Sequence, residues 1–413
     1  MQLTRAGAVA ALVTMAAFVN LPRPAAAQEP PAATSRTGAL EQAKAAKSTA
    51  LVEYTPGRVE AAIDRAEDLL LTGRVHVHPF FTSAYSGGGF TLGGGYITYV
   101  GSYNTLDTRG SITFTGYKRI ESEFIAPMLF GRRGRLSAIG GWREATEVAF
   151  YGIGSHTSPD AKTNFGFQQP YASATIELRP GPGLFAPRGP LVLLGGLEIS
   201  QWKQRPGSGD TPSIETVYPA DTLPGVGASP TYLHTQGMIG LDWRPAPGYA
   251  RRGGFYSVTL HDFTDTNAAF GFNRIDYDAV QHLPILREAW VLSFHGRDES
   301  ASRKDHQQIP FFMLPSSGGG SDLRGFPSWR FRDRNSLLLQ AEWRVIVGRF
   351  LDMAVFYDAG KVAATRNEIN LNGLHTDYGL GFRMHGPMST PLRVDFAKSR
   401  EGFSIAFGAS AVF

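Results

Sequence analysis

The chain has 413 residues, of which 42% are hydrophobic, 12% aromatic and 18% charged, and 48 are glycine. The formal net charge of +4 is too small to indicate a nucleic-acid partner, and the absence of cysteine excludes disulfides, thiolate catalysis and a lipid-modified N-terminal cysteine. Low charge with many glycines and aromatic residues is compatible with a membrane β-barrel and also with a soluble β-protein.

The first 27 residues have the pattern of a secretory signal peptide. Arg5 supplies the positive start, Ala6–Val19 is the apolar region, and Leu21–Ala27 ends in three alanines. A membrane anchor would need about 20 apolar residues, more than this segment offers. The sequence therefore predicts export and cleavage after Ala27.

Residues 28–73 are predicted to be a periplasmic linker followed by a helix. Thr55 is a suitable N-cap, Pro56 fits the first turn, and Gly73 ends the pattern. One apolar stripe runs along this segment, formed by Val59, Ile63, Ala66 and Leu70. The segment at 55–73 could plug the interior of a barrel, bind a periplasmic partner, or serve as a spacer.

From residue 74 to 413 the sequence alternates between strand-like and turn-like segments, which predicts an all-β domain. The candidate strands before residue 300 are Val75–Tyr85, Phe90–Val100, Arg109–Tyr117, Glu121–Phe130, Leu136–Phe150, Tyr171–Leu178, Pro190–Gln204, Tyr232–Trp243, Gly254–Phe263, Phe272–Ala279 and Glu288–Arg297. Five more follow after Asn335, which makes about 16, within the range of bacterial outer-membrane barrels.

The C-terminal strands alternate strictly between two faces. In the last one Phe403, Ile405, Phe407 and Phe413 share a face opposite Ser404. The polar face of the other four carries Gln340, Glu342, Arg344, Asp352, Asp358, Asp377, Arg383, Arg393 and Asp395. A soluble sandwich also alternates, but the aromatic residues on nearly every apolar face favour a barrel with its apolar side in lipid.

Two long segments rich in Gly, Pro and Ser, Arg205–Pro230 and Asp298–Trp329, contrast with short turns such as Gly131–Arg135. Both long segments follow odd-numbered strands, so both are predicted on the outer side of the membrane. Short turns on one side and long loops on the other are typical of outer-membrane barrels. The fold class predicted is a transmembrane antiparallel β-barrel.

Several motifs near the C-terminus occur together. They are LRGF at Leu323–Phe326, FYDAG at Phe356–Gly360, GLGFR, the PLRVDF strand and the terminal Phe413. This combination resembles the end of the BamA/TamA-type bacterial surface antigen family, which includes two-partner secretion transporters. Farther upstream the likeness is looser and rests on FYGIGS at Phe150–Ser155 and on GLDWRP followed by GGFYSV.

The resemblance implies a loop that folds into the barrel, where Arg324 pairs with Asp358 of the FYDAG strand. Gly325 would allow a tight turn, and Phe326 would pack on the barrel wall. Candidate second partners of Arg324 are Glu342 and Asp377. The terminal Phe413 resembles the signal by which the barrel assembly machinery recognises barrels for insertion.

The resemblance also implies a location in the bacterial outer membrane, in contact with lipid, and a role in outer-membrane protein assembly or translocation. Family members usually carry POTRA domains before the barrel, and residues 28–73 are too short for one. The alternative hypothesis is therefore a POTRA-less passive channel or structural barrel.

The sequence predicts no enzymatic activity, cofactor or metal. There is no Gly-x-Ser-x-Gly motif, and SSGGGS at Ser316–Ser321 lacks the Lys-Ser/Thr of a phosphate-binding loop. The pair His76 and His78 has no third ligand nearby in sequence. His261, His295 and Asp262 could form a catalytic pair with an orienting carboxylate, but scattered polar residues inside a barrel explain them better.

Overall fold

The computed structural model describes residues 76–181, 189–286, 288–408 and 410–413. The predicted signal peptide, linker and helix, residues 1–73, lie outside this part of the chain. The fold is an antiparallel β-structure built along the chain in a simple up-and-down order.

The first half of the sheet contains β1 (Val77–Pro79), β2 (Thr91–Val100), β3 (Asn104–Thr113), β4 (Lys118–Met128), β5 (Gly134–Phe150), β6 (Thr163–Leu178), β7 (Leu191–Gln201), β8 (Lys203–Pro206), β9 (Thr231–Asp242) and β10 (Gly253–Asp265). The second half contains β11 (Phe272–Ile285), β12 (Trp290–Arg303), β15 (Asn335–Ile346), β16 (Leu351–Ala363), β17 (His375–Met384), β18 (Leu392–Ser399) and β19 (Gly402–Gly408). A separate two-stranded ladder, β13 (Ser316–Ser317) with β14 (Phe331–Arg332), lies in the loop between β12 and β15.

The remaining regular elements are short. They are the helical turns α1 (Leu129–Arg132) and α2 (Ile214–Val217) and the 3₁₀ turns Pro159–Ala161, Pro247–Tyr249, Phe311–Met313 and Arg366–Glu368. No helix among the described residues is long and apolar enough to cross a membrane.

The large sheet has 17 strands as defined by hydrogen bonding. Both β7 and β8 pair with β6, and they are separated by the single residue Trp202, so they form one interrupted strand. Counted this way, the sheet agrees with the prediction of about 16 strands.

The strands have an outer apolar face and an inner polar face, as their alternation predicts. On β16, for instance, Val355 and Tyr357 are about half exposed on the outside, whereas Phe356 and Asp358 are buried inside. Side chains from distant strands meet in the interior. The Tyr249 hydroxyl, between β9 and β10, donates a 2.7 Å hydrogen bond to Asp352 of β16.

The prediction of a strand over Val75–Tyr85 is wrong beyond Pro79, where β1 ends. The following residues turn into the barrel instead of extending its wall. The Tyr85 hydroxyl donates a 2.6 Å hydrogen bond to Gln169 Oε1 on the inner face of β6, and Tyr85 packs on Phe167. An inward aromatic contact thus replaces the strand pairing that alternation alone indicated.

The last strand also ends earlier than predicted. β19 stops at Gly408, and Phe413 does not continue its apolar face. The Phe413 ring lies 5.2 Å from the ring of His295 and 6.2 Å from that of His282, both buried side chains of β12 and β11. The role of Phe413 in insertion stays a prediction.

The strand order makes the sidedness of the loops testable. An epitope tag inserted at Gly207, directly after β8, should be detected on intact cells, because long loops lie outside the outer membrane. A tag at Arg133, in the short turn between β4 and β5, should be detected only after the outer membrane is broken. Equal detection in permeabilised cells is the control, and the opposite pattern would contradict the strand count.

A candidate loop-anchoring site inside the barrel

The loop between β12 and β15 turns back into the barrel, where Arg324 contacts the inner face of the wall. Its guanidinium meets Asp358 of β16 as a two-point fork, with Nε and Nη2 each 2.7 Å from a different carboxylate oxygen. The Asp358 carboxylate also accepts a 3.2 Å hydrogen bond from Gln340 of β15. All of the Arg324 side chain is buried, so this pair is shielded from solvent.

The pair belongs to a larger network of inward-facing charges. Arg324 Nη1 lies 3.1 Å from Glu342 Oε2, and the same carboxylate accepts a 2.7 Å bond from Arg383. Arg383 in turn donates to Asp395 at 2.6 Å, and Arg393 Nε lies 3.4 Å from that carboxylate. Three arginines thus share three carboxylates, which compensates charges that would be costly to bury alone.

Glu342 therefore takes the predicted place of second partner, whereas Asp377 does not. Asp377 faces Asp358 across the β16–β17 ladder, and the backbone of Gly325 lies against it. A Cβ at Gly325 would stand 2.6 Å from the Asp377 Cβ. In the part of the chain that the structure describes, Asp358, Glu342 and Asp395 are the carboxylates within ion-pair distance of Arg324.

The other motif residues support this contact by packing. The Arg324 guanidinium carbon lies 3.4 Å from the centre of the Phe356 ring, a cation–π contact. Leu323 and Phe326 are buried in a small apolar cluster. At Gly360 a Cβ would stand 2.8 Å from the Leu337 carbonyl of β15 and in ordinary contact with Leu323 at 3.4 Å. Phe356 therefore stacks on Arg324, Asp358 pairs with it, and Gly360 allows the close approach of the neighbouring strand.

Burial alone would lower the pKa of Arg324. The hydrogen bonds and negative charge of Asp358, together with the charges of Glu342 and Asp395, outweigh burial, so the net effect is a raised pKa. Arg332, eight residues along the loop, has a different environment. It is buried beside Phe165 and Trp329, donates to the Phe311 carbonyl at 3.1 Å, and burial lowers its pKa to about 9. Arg324 is thus held by charge and Arg332 by aromatic rings.

The loop also closes the long-loop end of the barrel with an apolar core. Its Phe311 and Phe312 pack with Ile214 and Leu223 of the loop between β8 and β9. Phe150, Phe165 and Phe167 of β5 and β6 complete the same cluster. Two long loops therefore share one core with the barrel wall.

Two contacts were not foreseen from the sequence. Arg330 is fully buried and binds Glu401, in the turn before β19, and Thr157, in the loop before β6. Ser155 bridges to β16, since its hydroxyl donates to the Val362 carbonyl at 2.6 Å and accepts from Val362 N at 3.0 Å. Ser155 ends the FYGIGS segment, which resembles the family only loosely and so indicates the residue weakly. Arg330 belongs to none of the motifs, so nothing in the sequence singles it out.

The histidines considered for catalysis are dispersed. His261 contacts His234 and Asp276, whereas His295 contacts Asp278 and Gln340. Asp262 is half exposed and binds Lys304. These side chains have separate partners and form no common catalytic site.

The predicted histidine pair is also split. His78 binds Asp107 at 2.8 Å, and His76 Nδ1 lies 2.7 Å from the Ile97 carbonyl. Across the described residues no group of three or more His, Cys, Asp or Glu side chains is arranged to hold a metal.

Fold and site together define a class: a transmembrane β-barrel with a long loop that folds back and is anchored inside by arginine. Residues 249–409, which carry this loop and all the strands that bind Arg324, match the Omp85 superfamily domain. This part of the chain thus matches the superfamily to which the BamA/TamA-type proteins belong, and the protein is one of the bacterial outer membrane. The predicted resemblance to the family and the predicted location are confirmed.

Two solved structures share this fold over most of the chain. The chain is similar to BamA from Haemophilus ducreyi lacking POTRA domains 1–3, with a TM-score of 0.56 and 14% identity over 81% of this chain and 68% of that one. It is similar to CdiB from Escherichia coli, with a TM-score of 0.51 and 10% identity over 79% of this chain and 57% of that one. At such identities the likeness concerns the fold. No curated protein sequence matches the chain.

Proposed function

We propose that this barrel takes part in the assembly or translocation of proteins at the outer membrane, and that its inward loop is the part that moves. The observation that carries the proposal is the anchoring of the loop by Arg324 between Asp358 and Glu342. This contact consists of side-chain pairs that a displacement of the loop can break and remake. The strands of the wall, in contrast, are held together by continuous backbone hydrogen bonds.

The same loop argues against a passive channel. A passive pore has a solvent-filled interior, whereas other outer-membrane barrels are plugged by loops. Here Arg324 and Arg330 have no exposed surface, and Arg332 is 1% exposed. The aromatic core around Phe311 covers the long-loop end. Steady passage of small solutes would require this core to be dismantled.

The proposed role is non-enzymatic. Among the described residues, His282 Nδ1 lies 2.8 Å from the hydroxyl of Ser293, a pairing of an imidazole with a serine. Both side chains are buried, and Phe413 covers the imidazole. A substrate would have no access to this pair. The partners proposed are outer-membrane lipid, the assembly machinery that inserts the barrel, and a periplasmic partner at residues 55–73.

Two measurements test the proposal. Purified protein in planar bilayers should show no steady conductance, and Asp358→Asn should produce transient openings, because the loop loses its charged partner. Asp298→Asn is the matched control, since Asp298 lies on the outer face and pairs with the half-exposed Arg366. In cells, depletion should lower the amount of folded outer-membrane or secreted client protein.

Photo-crosslinkers placed on the inner face should at the same time capture unfolded client chains. Steady conductance of the wild type that Asp358→Asn leaves unchanged, together with normal client levels after depletion, would contradict the proposal and favour the passive channel.

A further inference from the structure

We infer that the inward loop also fastens the last hairpin of the barrel, β18–β19, through a latch between Arg330 and Glu401. Displacement of the loop would then loosen the last strand. The inference rests on the proposed function for its biological purpose, but its test does not depend on any client protein.

The latch uses every polar group of the Arg330 side chain. Nε lies 2.7 Å from Glu401 Oε2, and the two terminal nitrogens donate to Thr157 Oγ1 at 2.7 Å and to the Thr157 carbonyl at 2.6 Å. The rings of Tyr151 and Phe331 lie 4.8 and 4.7 Å from the guanidinium carbon. Because Arg330 is fully buried, charge-assisted bonds here are stronger than they would be in solvent.

Glu401 connects this contact to the last hairpin of the sheet. It lies in the turn that joins β18 to β19, so it belongs to the hairpin and not to the loop. Thr157 belongs to the loop between β5 and β6. One arginine of the inward loop therefore ties the last hairpin to the loop between β5 and β6.

Three further contacts join the loop to the same hairpin. The Ser399 hydroxyl donates to the Gly325 carbonyl at 2.7 Å, and Arg393 Nη2 donates to the Gly320 carbonyl at 2.9 Å. Gly320 packs so closely on β19 that a Cβ there would stand 2.9 Å from the Cβ of Ala406. The loop thus lies along the inner face of β18 and β19.

This hairpin needs such support more than its neighbours. β18 and β19 have eight and seven residues, whereas β15, β16 and β17 have 12, 13 and 10. A shorter ladder has fewer hydrogen bonds to resist separation. The loop compensates with side-chain contacts from outside the sheet.

The two anchors are close together on the loop, and their main partners lie on different strands. Arg324 binds Glu342 of β15 and Asp358 of β16 and lies 3.8 Å from Asp395 of β18, whereas Arg330 binds Glu401 in the hairpin turn. Movement of one short segment would therefore release both. This arrangement makes Arg330 and Glu401 positioning residues for the last strand.

Hydrogen–deuterium exchange on the purified folded barrel tests the latch. Glu401→Gln and Arg330→Lys should each speed exchange of the β19 amides, Phe403 to Phe407, at least tenfold, while exchange in β16 stays as in the wild type. Arg400→Gln, at the exposed neighbour of Glu401 in the same turn, is the matched control and should change neither strand. Arg330→Lys keeps the charge but cannot serve Glu401 and Thr157 together.

A second variant keeps the test valid if the charge variants fail to fold. Gly320→Ala should push against Ala406 and also speed exchange in β19, whereas Gly237→Ala, where a Cβ meets nothing within 4 Å, should not. Unchanged exchange in β19 in every folded variant would overturn the latch. Equal acceleration in β16 and β19 would also overturn it, because that result indicates general destabilisation.

The exchange assay contains no client protein. If it contradicts the latch, the proposed function is still decided separately, by the conductance and depletion measurements. Conversely, normal client levels after depletion would contradict the function and leave the latch standing.

Discussion

Replacement of Arg324 by alanine should lower the free energy of unfolding of the barrel by about 3–5 kcal/mol, the usual result of removing one partner of a buried ion pair. Asp358 would lose two hydrogen bonds of 2.7 Å in a site without solvent. Glu342 would lose one of its two arginines. The loop should then become accessible to external protease near Gly319 and Gly320.

A double-mutant cycle with Asp358→Ala separates the pair from the general effect of truncation. The two single variants should each be strongly destabilised, and the double variant much less than their sum, because neither charge is then left without a partner. Exchanging the two residues, Arg324→Asp with Asp358→Arg, should restore part of the protection of the loop. Full recovery is not expected, because the fork geometry of the guanidinium depends on its position.

Arg366→Ala provides the control, since Arg366 is half exposed and pairs with Asp298 on the outer face. Such a surface pair contributes at most about 1 kcal/mol. A coupling energy near zero in the Arg324–Asp358 cycle, with the loop equally protected in all variants, would show that this contact does not hold the loop.

Gly325→Ala should also be destabilising, for a steric reason. The added Cβ would stand 2.6 Å from the Cβ of Asp377 and 3.0 Å from that of Ser399, both on the barrel wall. Neither is the flexible end of a long side chain, so the loop itself must move. We expect a loss of about 1–3 kcal/mol, as for other overpacked sites, and a weaker contact between Arg324 and Asp358.

Thermal unfolding of the heat-modifiable form gives the stability, and protease accessibility of the loop reports its position. Gly348→Ala is the matched control, because a Cβ at that turn position meets nothing within 4 Å. If Gly325→Ala and Gly348→Ala behave alike, the close approach of the loop to Asp377 is not a constraint on the folded protein.

The alternation of apolar and polar residues predicted most of the strands, because one face meets lipid and the other the interior along the whole wall. The same rule failed beyond Pro79 in the predicted strand Val75–Tyr85, where the partly buried Tyr85 packs against the aromatic core in the interior. Apolar residues that pack inside a barrel give the same pattern as those that face outward. Periodicity cannot distinguish them.

The pairing of Arg324 with Asp358 could be expected from the motifs that carry the family resemblance, and Glu342 from its place on the polar face. Asp377 shares that polar face but lies against the backbone of Gly325, a distinction that requires the path of the loop. Arg330 could not be identified, because its partners Thr157 and Glu401 are remote in sequence and belong to no motif.

The contacts of Arg330 and Ser155 join segments that are far apart along the chain. Arg330 and Thr157 are 173 residues apart, and Ser155 and Val362 are 207 residues apart. Contacts of such separation form slowly and late, because a long stretch of chain must be ordered first. The loop should therefore dock after both halves of the wall are in place. Interactions formed after the folding transition state mainly slow unfolding, so these contacts should make the finished barrel long-lived without hastening its folding.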